Sequence, residues 1–156
     1  MIKRYLTAAA AMAVCCGATF STLSHKAAAA PDRPTRYDLD GLDPMESGCA
    51  ADAITVAEKD IYRNDDNTRI GKVELRYSRV CGTNWARVER YDGDTVDETV
   101  ASIIRETDGK EYDAHKTGET RAWSPMVFGQ RLCTHALGLV DESFTSGSAR
   151  TNSRCD

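Results

Sequence analysis

The chain is 156 residues long, enough for one domain once an N-terminal segment is set aside. Its first 30 residues hold Lys3, Arg4 and Lys26 and no acid, so the remainder carries 17 basic against 24 acidic side chains, a formal charge of −7. That balance excludes a nucleic-acid binder, which needs a net basic footprint, and disfavours electrostatic adhesion to an anionic lipid or cell-wall surface.

The N-terminus reads as an export signal. Lys3 and Arg4 precede an uncharged run from Tyr5 to Phe20, and Ala27 to Ala30 stand before Pro31. Small residues at −1 and −3 suit a signal peptidase, so residues 1–30 are expected to be a cleaved signal peptide and the mature protein to be extracellular. The apolar run is shorter than the ~20 residues that span a bilayer, so no stable membrane insertion is expected. Cys15 and Cys16 do not make a lipoprotein box, because Val14 and Cys15 precede them where a small residue is needed.

Four cysteines remain: Cys49, Cys81, Cys133 and Cys155. An even number in an exported domain predicts two disulfides, with three possible pairings. Joining neighbours in sequence order gives Cys49–Cys81 and Cys133–Cys155. There is no C-x-x-C pair, and only His115 and His135 stand near as nitrogen ligands, so neither metal nor cofactor is expected.

Residues 31–47 hold Pro31, Pro34, Gly41 and Pro44 with several Asp and no periodicity, and read as an extended, flexible leader. The β domain is expected over 48–140. Ala53 to Ala57 and Ile61-Tyr62 are strand-like, and Asn64 to Asn67 signal a turn. Ile70 to Tyr77 alternates: Val73, Leu75 and Tyr77 on one face, Lys72, Glu74 and Arg76 on the other. Thr83 to Tyr91 reads as a strand packing through Trp85, Ala86 and Val88, followed by a hairpin-type turn at Asp92-Gly93-Asp94. Val96 to Thr107 fits strand or helix, and the β-rich context favours strand. Glu111 to Glu119 reads as a loop. Ala122 to Phe128 is an edge strand, because Pro125 cannot donate to a ladder. Leu132 to Val140 is the last apolar run, and residues 141–156 form a polar tail tied back by Cys155. Five to seven short strands predict a mostly β fold, a small antiparallel β-barrel stapled by two disulfides.

Several stretches resemble one family. Gly48-Cys49-Ala50-Ala51-Asp52-Ala53, Val73-Glu74-Leu75-Arg76-Tyr77-Ser78, Cys81-Gly82-Thr83-Asn84-Trp85-Ala86-Arg87 and Trp123-Ser124-Pro125-Met126-Val127 are similar to the YjfA-like secreted bacterial proteins, whose shared domain has no known function. The resemblance spans roughly 37–140 and implies the Cys49–Cys81 bridge; the long polar end with Cys155 departs from it. It brings no activity or catalytic residues. A looser similarity, through Ile70 to Val73, Trp85 and Trp123, is to bacterial SH3-like domains.

No catalytic constellation is visible. Ser78 and Ser124 lack a nucleophile-elbow context, and His115 and His135 lie in a polar loop and an apolar strand. Asp52 reads as a cap or an ion-pair partner of Arg76 or Arg87. The Asp92 to Glu98 run is not an EF-hand, because Asp97 and Ile103 occupy the positions of its Gly and Glu. Arg76, Tyr77, Asn84, Trp85, Arg87 and Trp123 form the candidate binding patch, since Trp and Arg are enriched at hot spots. The expected function is a monomeric, non-enzymatic binding or interaction domain for a protein or cell-wall ligand. The alternatives are a small carboxylate-dependent hydrolase and a structural exported protein.

Overall fold

The computed structural model describes residues 37–91 and 97–155. The proposed signal peptide, the start of the leader and the Asp92-Gly93-Asp94 turn lie outside them. The described strands are β1 (Ile54–Tyr62), β2 (Arg69–Ser78), β3 (Thr83–Arg90), β4 (Glu98–Arg105), β5 (Lys110–Thr117), β6 (Arg121–Trp123), β7 (Val127–Phe128), β8 (Cys133–Glu142), β9 (Thr145–Arg150) and β10 (Arg154–Cys155). A short 3-10 turn, Cys49–Asp52, precedes β1. No helix among the described residues is long and apolar enough to cross a membrane.

The strands make two antiparallel five-stranded sheets. The first runs β1-β2-β3-β6 with β7 also on β3; the second runs β10-β8-β4-β5 with β9 also on β8. Val73, Leu75 and Val88 of the first sheet pack against Ala101, Ile103, Ala136 and Val140 of the second. The expected barrel is therefore corrected to a sandwich of two sheets: among the described residues no strand ladder closes the two into one cylinder, and nothing supports an SH3-like arrangement. Each sheet instead buries one face against the other, which covers the apolar side of both without closing a ladder. Gly138 marks a close approach of the layers, where a Cβ would lie 2.8 Å from the Val73 Cβ.

Two of the extra strands are polar. The expected loop over 111–119 is β5, an edge strand whose inward residues are Tyr112, Ala114 and Lys116. The expected tail contains β9, paired with β8 from Leu137 to Glu142. The disulfides are Cys49–Cys81 and Cys133–Cys155, and the latter joins directly opposed residues of β8 and β10. β6 and β7 lie at the edge of the first sheet, interrupted by Pro125 as expected.

The leader is also corrected. From Tyr37 onward it is a series of turns bound to the domain rather than a mobile extension. Gly41 N–H donates to the Met126 carbonyl at 2.8 Å, and Met126 N–H donates to the Leu42 carbonyl at 2.9 Å. The Asp40 carboxylate accepts from the Phe128 N–H and from the buried Arg105 guanidinium. Arg105 also donates to Asp108 and to the Phe128 carbonyl, and lies over the Tyr37 ring at 4.7 Å. These turns bring Leu39, Cys49 and Ala50 onto the outward face of the first sheet, where they cover Trp85 and Met126.

These ion pairs set an acid limit on the fold. Hydrogen bonds from Arg105 hold the Asp108 carboxyl at about 2, against an ordinary 3.8. Burial pushes Glu74 up, but Arg87 and Lys72 outweigh it and leave that carboxyl below its ordinary value. Carboxyls depressed in the folded chain are protonated first in the unfolded one. Their stabilisation is complete above about pH 4.5 and fades as pH falls toward about 2. The urea midpoint is expected to drop steadily across that window, less steeply in Asp108→Asn. A midpoint flat with pH contradicts the assignment.

Candidate functional site

Side chains alternate across a strand, so residues adjacent in sequence cannot share one face of a sheet. That rule divides the expected patch. Arg76, Trp85, Arg87 and Trp123 lie on the outward face of the first sheet, whereas Tyr77 and Asn84 oppose each other on the inward face. Tyr77, Asn84 and Trp85 are buried, Trp85 to 1% exposure beneath the Cys49–Cys81 bridge. Their expected role as contact residues is therefore corrected: they are interior.

The half-buried members of the patch are engaged as well. Arg87 Nε donates to Glu74 Oε2 at 2.5 Å, and Lys72 Nζ lies 3.1 Å from the other oxygen of that buried carboxylate. Arg76 donates to Thr55 Oγ1 and the Ala53 carbonyl. Burial and then Arg87 lower its pKa. Trp123 Nε1 donates to Asp43 Oδ2 at 3.1 Å. Asp52 caps the β2–β3 turn instead of pairing with an arginine: it accepts from Ser78 Oγ and from the Val80 N–H, and both bonds lower its pKa.

The serines and histidines singled out in the sequence are each engaged with neighbouring groups. Ser78 serves Asp52, and Ser124 Oγ donates to the Pro125 carbonyl and accepts from the Ala86 N–H. His115 has both nitrogens on carboxylates, Nδ1 to Glu98 at 2.8 Å and Nε2 to Asp113 at 2.9 Å. The Glu98 bond, ahead of Asp113, raises its pKa. His135 Nδ1 lies 2.8 Å from Glu106 Oε1. Asp43, Asp52, Asp66, Glu74, Glu106 and Asp108 each have a carboxyl held below its ordinary pKa. No group of three His, Cys, Asp or Glu among the described residues is placed to hold a metal ion.

Apart from Tyr37 over Arg105, the exposed aromatics among the described residues lie at the end of the sandwich that carries the β1–β2 turn, the end of β3 and the β8–β9 hairpin. Tyr62 is 41% exposed, Tyr91 44%, and Phe144 stands fully in solvent. Their positions are connected. Arg69 opposes Tyr62 across the β1–β2 ladder, lies 4.8 Å over the Tyr91 ring, donates to the Tyr91 hydroxyl at 2.7 Å and pairs with Asp60. Arg63 Nε pairs with Glu142 at 2.8 Å, a bond that raises the guanidinium pKa. Asn64 donates from its N–H to the Ser146 carbonyl and from Nδ2 to Ser146 Oγ. Glu142 and Ser146 flank Phe144, so the β1–β2 turn fixes the hairpin that presents that ring. Sequence reasoning passed over these residues. The available signal was that each aromatic abuts turn-prone residue types: Tyr62 before Arg63-Asn64, Tyr91 before Asp92-Gly93, and Phe144 between Ser143 and Thr145.

Comparison with known proteins gives a family and no activity. The family described as "Protein of unknown function (DUF2690)" matches over residues 37–137. A protein from Bacillus subtilis (strain 168), "Uncharacterized protein YjfA", is 33% identical over 105 residues, covering 67% of this chain and 64% of its own length. The chain thus spans less than two thirds of that relative's length. No solved structure matches. The matched region takes in β1 to β7 and most of the turns beneath them, and on that extent the chain belongs to the DUF2690 family of proteins of unknown function.

Proposed function

We propose that this chain is an exported, non-enzymatic binding domain that docks a protein partner through the aromatic end of its sandwich. The observation that carries this reading is the grouping of Tyr62, Tyr91 and Phe144 at one end of the sandwich, on segments tied together by Arg69, Arg63 and Asn64. Rigid Tyr and Phe rings offer large contact area for little lost side-chain entropy, and Arg beside them adds hydrogen bonds and cation–π contacts. Loops gathered at one end of a β-sandwich are a recurrent recognition surface. Export is supported by the basic-then-apolar N-terminus and by two disulfides, which persist in an oxidising compartment.

The test uses the processed chain immobilised with its disulfides intact, beside Tyr91→Ser/Phe144→Ser. Each is incubated with protein from culture medium and, separately, with cell-wall fractions. The native chain is expected to retain a protein species, and the double variant to bind it about 30-fold more weakly, the effect of losing a hot spot. Retention only on protein-free wall polymer, equal retention by the variant, or no retention at all overturns the reading.

A further inference from the structure

The outward face of the second sheet breaks the alternation expected of a sandwich, in which one face of an antiparallel sheet packs and the other turns polar groups to water. On its two central strands the outward positions include Val100, Leu137 and Leu139. Val100 opposes Leu139 and Ser102 opposes Leu137 across β4–β8; Leu139 opposes Ser148 and Leu137 opposes Arg150 across β8–β9. These six side chains line a groove of about 440 Å³, a volume inside the ~300–1,000 Å³ range of small-molecule sites. The floor is apolar, two hydroxyls stand beside it, and Arg150 is the charged member of the lining.

Charge around the groove is polarised. On the β5 side stand Glu98 and Asp113, joined through His115. On the β9 side stands Arg150. Its Nη2 lies 3.2 Å from His135 Nδ1 and 3.5 Å from Glu106 Oε1, and its Nε and Nη1 have no protein partner among the described residues. Glu106 offsets part of the Arg150 charge, so an anionic group is repelled at the first side and, at the second, is drawn to the Arg150 nitrogens that Glu106 leaves open. A contact 3.5 Å long leaves Arg150 able to turn part of its fork toward a ligand.

We propose that this groove binds a small apolar carboxylate, with the carboxylate on Arg150 and the alkyl or aryl body on Val100, Leu137 and Leu139. The dimensions select a compact ligand. Two outward rows along the strands and three strands across cover about 7 Å by 10 Å, roughly a tenth of the ~800 Å² per partner that a stable protein interface buries. The groove lies on a sheet face rather than at the turns, so the Tyr91→Ser/Phe144→Ser variant leaves it intact and the two readings stand or fall separately.

Octanoate is the probe. Titrated into the 15N-labelled, disulfide-intact chain, it is expected to shift the amides around Val100, Leu137, Leu139 and Arg150 with a Kd of about 1 mM or tighter. Arg150→Gln is expected to weaken octanoate by about tenfold while leaving the neutral analogue 1-octanol unchanged. Leu139→Ser is expected to weaken both. Both positions point outward, and far-UV circular dichroism and Tm check that each variant is folded. Shifts elsewhere or none, an Arg150→Gln variant that binds octanoate like the native chain, or tighter binding of octylamine than of octanoate overturns the proposal. A concentration-dependent dimer that Leu139→Asp dissociates also overturns it, by identifying a second copy as the occupant.

Discussion

Arg105→Ala is expected to cost about 3–5 kcal/mol of folding stability, the range for removing one partner of a buried ion pair. The guanidinium is 3% exposed and reaches Asp40 at 2.8 Å, Asp108 at 2.8 Å and the Phe128 carbonyl at 3.2 Å. The two carboxylates do not suffer equally from its loss. Asp108 is 47% exposed and can turn to water, whereas Asp40 is 10% exposed and is left as a buried anion holding only the Phe128 N–H. The cost therefore falls on Asp40. A further consequence follows from where Asp40 sits. It belongs to the turns that carry Leu39 and Cys49 over Trp85, so loosening it exposes the outward face of the first sheet. Urea unfolding at constant m-value reads the loss, and amide exchange at Gly41 and Phe128 reads its location. Arg105→Leu/Asp40→Leu, which removes both charges, is expected to be more stable than Arg105→Ala alone. A single variant within about 1 kcal/mol of the native chain sinks the assignment, because exposed pairs are worth no more than that.

Some of this architecture was legible in the residues. β2 alternates through Val73, Leu75 and Tyr77, and those side chains are buried against the second sheet as the pattern requires. The nearest-neighbour pairing of the cysteines and the Pro125 break in an edge strand were also readable. β5 and β9 were not. Their inward residues are Tyr112, Ala114 and Lys116 in one and Gly147 and Ala149 in the other, too small or too polar to give a period-two signal. Edge strands are held by ladders to a neighbour already in place, a contact no local pattern encodes. The binding patch failed for a different reason. Arg76-Tyr77 and Asn84-Trp85 looked like one surface because proximity along the chain was read as proximity in space. In a strand, adjacent residues are separated by the thickness of the sheet. The outward partners of Lys72, Glu74 and Arg76 posed the converse problem. Alternation marked them as solvent-facing, yet Glu74 is 3% exposed, because Arg87 reaches it across the ladder and Lys72 from two residues along the same strand. The aromatic end was hidden because Tyr62, Tyr91 and Phe144 lie in three separated segments that only the folded turns bring together.

The two disulfides are expected to differ sharply when removed, although the chain-entropy model gives them almost the same value. Their sequence separations are 32 and 22 residues, and for loops of that size the model gives about 3–4 kcal/mol each. Packing separates them. Cys49 is 2% exposed and its sulfur helps to cover Trp85 and Met126. Cys49→Ala/Cys81→Ala therefore loses loop closure and also opens a gap beside the largest buried side chain, a cavity term of about 1–2 kcal/mol more. Cys155 is exposed and closes an edge already held by the β8–β9 ladder and by the Thr151 bond to the Ala136 carbonyl. Cys133→Ala/Cys155→Ala is expected to lose no more than the loop term, with fraying confined to residues 151–155. Thermal unfolding should place the first pair of substitutions well below the second, with a changed near-ultraviolet signal from Trp85 in the first alone. Reductant acting on the native chain should free the outer bridge first, because a thiolate must reach the sulfur it attacks. Equal losses from the two pairs would mean that Cys49 contributes only its covalent link, and the layer of turns over Trp85 would then have to be held by Asp40, Asp43 and their partners without it.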